Sequence, residues 1–313
     1  TATVAYAYGK INIFRGFSDS SKLEIAGLKT DVAREKLRQK EFQVGLEVEQ
    51  FFHTYVYFKR LLELNEEALK VNNKNLATVQ RRRSSGQVSD ADVMEFSLRD
   101  SLLRSELVSL ENSLEEARVN LKKLLGEEIG AKVEPSGQLR HEHVVGHLND
   151  YVNQVQDNEE VFIATKELEI ASAERKVSTA KWLPEVDFEI QSGLLPLDKS
   201  DGSGQTTNLL LVGRFPLFSG LESLYDRREK LAKQESRSER LKNQILSGIS
   251  EVEIRFRRLR AIEKRVDLEF ENSNMAKRYY TAVTSEYSRG VKNSADLRSA
   301  AENFLAAQTR EEK

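Results

Sequence analysis

The sequence predicts a mainly α protein with a few β-strands, in which long coiled-coil helical hairpins occur twice. Three observations predict it. First, the chain repeats itself: GKINIFRGF (Gly9–Phe17) returns as GRFPLFSGL (Gly213–Leu221), and GQVSDADV (Gly86–Val93) returns as GVKNSADL (Gly290–Leu297). Gly213 stands 204 residues after Gly9 and Gly290 stands 204 after Gly86, so no residue is gained or lost between the anchors. A gapless match of this length means two copies of one structural unit, and only a rigid element such as a long helix forbids insertions throughout. Second, the four prolines, at 135, 184, 196 and 216, leave the long segments free of helix breakers. Third, short stretches of alternating polarity interrupt the helical pattern.

The first strand is read over Thr1–Ile13. Ser18 to Arg83 then reads as one helix, roughly 65 residues and about 100 Å long. Val44, Val48, Phe51, Tyr55, Phe58 and Leu62 alternate steps of four and three along it, a coiled-coil seam. After a turn at Gly86, a second helix carries Leu103, Leu107, Leu110, Leu114, Ala117, Leu121 and Leu124, ending at Gly126 as C-cap. The two are expected to pack as an antiparallel hairpin. Glu134–Asp157 is polar and irregular, and Asn158–Lys181 reads as a helix. In WLPEVDFEIQSGLL the period becomes two: Val186, Phe188 and Ile190 oppose Asp187, Glu189 and Gln191, a strand with one apolar and one polar face. A Gly-, Ser- and Asp-rich loop precedes a strand at Leu209–Phe215. Glu222–Tyr287 repeats the long helix, with Leu241, Ile245, Gly248, Val252, Leu259, Ile262 and Val266 as its seam and Arg255 interrupting it. Ser294 begins the last helix. The domain reading is a first repeat over 1–126, an irregular link over 127–157 and a second repeat over 158–313.

Composition narrows the functions. Of 313 residues, 48 are basic and 50 acidic, thoroughly mixed, so a nucleic-acid partner, which needs a basic stripe, is not expected. Cysteine is absent, which removes disulfides, thiolate nucleophiles and cysteine zinc sites. No apolar run approaches the length of a spanning helix. Strands of about ten residues with one apolar face do have the length to cross an outer membrane within a closed barrel, and Tyr6, Tyr8, Trp182, Phe188 and Phe215 lie in or beside them. Lys10 and Arg214 occupy equivalent places just before the long helices.

Three marks then carry a family resemblance: the strand-to-helix junctions PLFSG (Pro216–Gly220) and NIFRG (Asn12–Gly16), the helix-to-strand junction WLPEVDF (Trp182–Phe188), and a hairpin tip in which Gly is followed six residues later by Asp and an aliphatic residue. The sequence resembles the TolC-type outer-membrane efflux proteins over essentially its whole length. The resemblance implies a homotrimer whose protomers each give four strands to a twelve-stranded barrel and their helices to a periplasmic tunnel. It implies a passive exit duct in the outer membrane of a Gram-negative bacterium, most of the chain lying in the periplasm. The implied partners are outer-membrane lipid, a periplasmic adaptor and, through it, an inner-membrane transporter. A further strand with its helices is expected before Thr1, and the counterpart of Leu110–Gly126 after Lys313, because three strands per chain do not close such a barrel.

The tips are the candidate site. Gly86 and Gly290 suit a chain reversal, Ser89 or Asp90 and Asn293 or Ser294 suit helix caps, and Asp92 and Asp296 suit a first helical turn. The resemblance adds adaptor docking at Arg82, Arg83, Gly86, Ser89, Asp92, Val93, Arg289, Gly290, Asn293, Asp296 and Leu297. It also implies a tunnel gate at Tyr287, Lys292 and Asp296, with Asp92 as the natural partner of Tyr287. Lys292 stands where Arg is more usual and cannot form a planar bidentate pair. Ser299 stands where some members carry a further acid.

Other motifs have bland readings. HEHVVGH (His141–His147) puts His143 and His147 at a helical metal spacing, yet it is not HExxH and Gly146 disfavours a helix; a solvated loop is the expected reading. Asp198–Gly204 lacks the GK[ST] of a phosphate loop and suits a hairpin loop. No catalytic constellation, metal site or cofactor is expected. The alternative function is a non-conducting, membrane-associated coiled-coil scaffold, which has no need of the alternating strands. A relative kept out of the membrane is a third reading, since Glu185–Gln191 is so polar.

Overall fold

The computed structural model describes residues 6–128, 134–137, 143–196, 203–217 and 221–313. In chain order the elements are β1 (Tyr6–Arg15), α1 (Ser18–Ser84), α2 (Asp90–Leu125), α3 (Leu148–Asn153), a 3-10 turn at Gln154–Asp157, α4 (Glu159–Ala180), β2 (Glu185–Pro196), β3 (Ser203–Arg214), α5 (Glu222–Ser288) and α6 (Ser294–Glu312). The gapless repeat has its physical basis in α1 and α5, each 67 residues long. Among the described residues no helix is long and apolar enough to cross a membrane.

The chain forms two units. One comprises residues 1–39 and 147–253, the other residues 40–146 and 254–313.

The first unit holds an antiparallel sheet in the order β1-β2-β3. Lys10 faces Glu189 and Asn12 faces Asp187, with a bulge between Asn12 and Phe14. Phe188 faces Leu211 and Ile190 faces Leu209. The alternation read in β2 is present, and its polarity is the reverse of a soluble sheet. Asp187 is only 1% exposed, whereas Ile11 and Leu211 on the apolar face are 68% and 69% exposed. Lys10 Nζ lies 2.6 Å from Asp187 Oδ2, and Asn12 Nδ2 donates to Asp187 Oδ1 at 2.8 Å. Arg214 pairs with the same Asp187 and donates to Glu189 at 2.9 Å.

Helix α4 is capped by Asn158, which accepts from the Glu160 N–H. Beyond Val161 its buried residues are small: Ala164, Ala171, Ala173, Ser178 and Ala180. Ion pairs tie it to α1 (Lys176–Glu24, 3.2 Å; Arg38–Glu159, 3.2 Å) and to α5 (Lys233–Glu174, 2.7 Å; Arg237–Glu167, 2.5 Å). Val155 is buried against Gly248, where a Cβ would stand 2.8 Å from its methyl.

In the second unit, α2 buries Phe96, Leu103, Leu110 and Ala117 at intervals of seven, with Leu121 beyond them, and ends at Gly126 in the left-handed region. Tyr55 and Val56 of α1 pack with Ala117, and Val79 packs with Phe96, which makes the expected antiparallel hairpin. Buried Asn72 donates to the Phe96 carbonyl at 3.1 Å, so the seam contains a satisfied polar layer.

The structure corrects four sequence expectations. Strand β3 begins at Ser203, not Leu209, and β2 runs on to Pro196, because ladder hydrogen bonds extend a hairpin regardless of side-chain polarity. Of the expected loop Asp198–Gly204, Ser203 and Gly204 are therefore strand; 198–202 lie outside the described residues, as do 1–5 of the first strand and 218–220 of its junction partner. Part of the irregular link is helical: the Asp150 carboxylate accepts from the His147 N–H at 2.8 Å, which starts α3. Leu259 and Ile262, placed in the seam of α5, are 37% and 47% exposed, and the neighbouring Glu263 is buried instead. Glu263 faces inward because it receives the Val144 N–H at 2.7 Å and Arg260 at 3.0 Å.

Candidate functional site

The tips are two copies of one local design, both within the second unit. Helix α1 closes with Gly86 at φ 74°, its N–H bonded to the Arg83 carbonyl and the next N–H, of Gln87, to the Arg82 carbonyl. Helix α5 closes in the same way at Gly290, φ 77°, through Tyr287 and Glu286. This pair of bonds is a Schellman closure, and its left-handed residue is one that glycine adopts without strain.

Three residues later each chain re-enters a helix through a capping box. Ser89 Oγ accepts from the Asp92 N–H while Asp92 Oδ2 accepts from the Ser89 N–H at 2.9 Å. Asn293 Oδ1 accepts from the Asp296 N–H at 2.9 Å and Asp296 Oδ2 from the Asn293 N–H at 3.2 Å. The open choice of cap is thus settled as Ser89 and Asn293. The Ser89 hydroxyl also donates to Asp92 at 2.6 Å, and these bonds, the hydroxyl's first, hold the Asp92 carboxyl below its ordinary value.

Between the tips lies one hydrophobic cluster of Val79, Phe96, Val283, Tyr287, Leu297 and Ala300, with Val88 and Val93 against it. Phe96 and Ala300 are repeat equivalents, as are Val79 and Val283, so one large and one small residue share a layer where two equal ones would clash or leave a void. Leu297 and Val93 therefore fill the tip from inside. On its surface, Arg83 pairs with Asp90, Arg298 with Glu95 at 2.9 Å and Arg99 with Glu302 at 3.7 Å, while Arg289 is exposed.

The gate residues are brought together only in part. Lys292 Nζ stands 3.9 Å from Asp296 Oδ2. The expected Tyr287–Asp92 pair is not made: Asp92 is turned into its own cap, and the Tyr287 hydroxyl, on a residue 3% exposed, has no hydrogen-bond partner among the described residues. Its ring is covered instead by Arg82, whose guanidinium carbon lies 4.3 Å from the ring centroid. Arg82 also donates to the Tyr287 carbonyl at 2.8 Å and the Ser288 carbonyl at 3.0 Å. This role of Arg82 had no signal in the sequence beyond its position in the tip.

Among the described residues no group of His, Asp and Glu side chains could hold a metal ion. His147 is the N-cap of α3 and His143 lies in coil, so the two do not share a helix face; His141 is outside the described residues.

Paired long helices, duplicated and joined to a sheet that exposes its apolar face, are the architecture of the TolC-type proteins. The sequence profile of the outer membrane efflux protein family matches residues 3–127 and 153–313. The chain belongs to the outer membrane efflux protein family. Solved structures agree in fold. The outer membrane protein VceC from Vibrio cholerae is similar with a TM-score of 0.81 and 14% identity, over 99% of this chain and 82% of that one. A membrane protein from Pseudomonas aeruginosa gives 0.81 and 15%, over 99% and 77%. The Neisseria gonorrhoeae MtrE outer membrane channel in its open state gives 0.73 and 16%, over 99% and 76%. Among curated proteins none matches the sequence significantly.

Proposed function

We propose that this chain is a subunit of a homotrimeric exit duct in the outer membrane of a Gram-negative bacterium, serving a tripartite efflux pump or type I secretion system. The observation that carries the reading is the polarity of the sheet. Ile11, Leu209 and Leu211 stand exposed on one face, while Asp187 and Glu189 are buried by Lys10 and Arg214 on the other. A lipid-facing barrel wall has this arrangement, apolar outside and polar toward the lumen. The long helices then form the periplasmic tunnel, with 1–126 and 158–313 as its repeats and 127–157 as the link between them. The tips dock a periplasmic adaptor, which connects the duct to an inner-membrane transporter. Asp92, Tyr287, Lys292 and Asp296 lie where the tunnel closes. No catalytic step is required.

Carbonate extraction of membranes and single-channel recording of the full-length protein test this together. A duct stays in the membrane fraction and passes small currents that grow in Asp92→Ala and Asp296→Ala. Release by carbonate, or silence from verified, inserted trimers of every variant, favours the scaffold reading instead.

A further inference from the structure

We infer that Arg82 is the latch of the tip: a positioning residue of the first hairpin that holds the end of α5, and with it the second hairpin, in the closed arrangement. The inference rests on the reading of the tips as a gate. Four observations meet at this side chain. Its two donations go to the carbonyls of Tyr287, which also accepts the Gly290 N–H, and Ser288, the last two residues of α5, at the negative end of the helix dipole. Its planar group covers the Tyr287 ring, and that ring is embedded in the cluster that joins all four tip helices. The acid that would otherwise bind Tyr287, Asp92, is engaged by Ser89. Finally, the contact is one-way. The repeat equivalent of Arg82 is Glu286, and that of Tyr287 is Arg83, so the second copy has no residue to return the grip. A feature needed merely to close a hairpin would occur in both copies, as the Schellman closures and capping boxes do. The asymmetry makes the Arg82 contact a one-way tie between the two hairpins, in addition to the Arg298–Glu95 and Arg99–Glu302 pairs and the shared cluster.

The arrangement also leaves the buried Tyr287 hydroxyl without a partner among the described residues. A buried donor left unmade favours any second arrangement that satisfies it. Release of Arg82 would free the end of α5 to move and the hydroxyl to find one.

The test is single-channel conductance of the full-length protein carrying Arg82→Ala, Arg82→Lys, Arg81→Ala or Phe96→Ala, each checked for trimers and for its melting curve. Among the described residues the Arg81 side chain bonds to Ala77 and Thr78 of its own helix, and its replacement controls for loss of one tip charge. Phe96→Ala loosens the whole tip. The latch predicts a several-fold rise in Arg82→Ala and wild-type currents in Arg81→Ala. Arg82→Lys falls between, because an ammonium keeps the charge and N–H donors but has no planar group to cover the ring. If Phe96→Ala opens the duct and Arg82→Ala does not, or if Arg81→Ala opens it equally, the latch is wrong and the gate stands. If neither Phe96→Ala nor Arg82→Ala changes the current, the gate reading itself fails, and the latch with it.

Discussion

Lys10 and Arg214, equivalent positions in the two repeats, close on the same carboxylate, Asp187, from the strands on either side of it. The duplication thus places two cations around one acid that lies between the copies. Glu189 extends the cluster by taking the second branch of Arg214, and Asn12 fills the remaining oxygen of Asp187. Such a cluster fixes register: a slip of one residue would turn each of these side chains to the apolar face.

Because the two cations share one acceptor, their losses are expected to be coupled. Lys10→Met or Arg214→Met alone leaves Asp187 with a partner and lowers the melting temperature slightly. The double substitution leaves a buried carboxylate with Asn12 alone and is expected to lower it by more than the sum of the two. A double-mutant cycle on thermal unfolding measures this; strict additivity would mean that the cluster is a set of independent surface pairs.

The capping boxes give a pH-dependent expectation. The folded-state carboxyl of Asp92 lies below its ordinary value, chiefly through the Ser89 hydroxyl. A depressed acid contributes stability that is fully present above its unfolded value and is lost as the pH falls through the folded one. The difference in melting temperature between wild type and Asp92→Asn is therefore expected to be largest near neutral pH and to shrink below about pH 4. Ser89→Ala and Asn293→Ala should each cost about 1 kcal/mol at neutral pH. A constant difference across the acid range would show that the Asp92 carboxylate adds nothing to its cap.

Much of this was legible in the sequence, and the legible part is local. The starts of α2 and α6 fall within the alternatives the sequence offers, Ser89 or Asp90 and Asn293 or Ser294, and the start of α4 follows from Asn158. The gapless repeat disclosed the length of α1 and α5, since an insertion in a continuous helix rotates every later side chain off its seam. The illegible part is competitive. Asp92 had a distant candidate partner in Tyr287 and a near one in Ser89, and the near one costs no loop closure. Leu259 and Ile262 continue an apolar period, but a period cannot say which of several stripes another segment covers; the Val144 N–H, donated to Glu263, decided for that residue. The helix at Leu148 was missed because His147 is not a usual cap, although Asp150 three residues on was a readable signal.

The link segment is expected to depend on Glu263. This buried carboxylate takes the Val144 N–H and pairs with Arg260, which in turn donates to the Gly146 carbonyl at 3.3 Å. Glu263→Ala removes the acceptor, and exchange of the Val144 amide is expected to accelerate about tenfold or more. Glu263→Gln keeps an oxygen for the N–H but loses the charge that holds Arg260, so it should fall between. Hydrogen exchange resolved to residues 143–147 reads both. Unchanged protection in Glu263→Ala would mean that the segment is held by its other contacts.

The last expectation concerns the layer shared by Phe96 and Ala300. Phe96 is 1% exposed and Ala300 fully buried, and each stands where the other would if the repeats were reversed. Phe96→Ala leaves a cavity among Val79, Val283 and Tyr287 and is expected to cost about 3–5 kcal/mol. Ala300→Phe alone puts two large rings in one layer and should cost about 1–3 kcal/mol through overpacking. Together the two changes restore the summed volume with the large residue on α6 instead of α2. If the tip is a near-symmetric layer, the double variant is more stable than Phe96→Ala alone, by thermal or denaturant unfolding. If Phe96 is instead needed on α2 for the packing of Val88, the double variant is the least stable of the three. The comparison therefore measures how far the duplicated tips remain interchangeable in their packing, independently of the one-way contact made by Arg82.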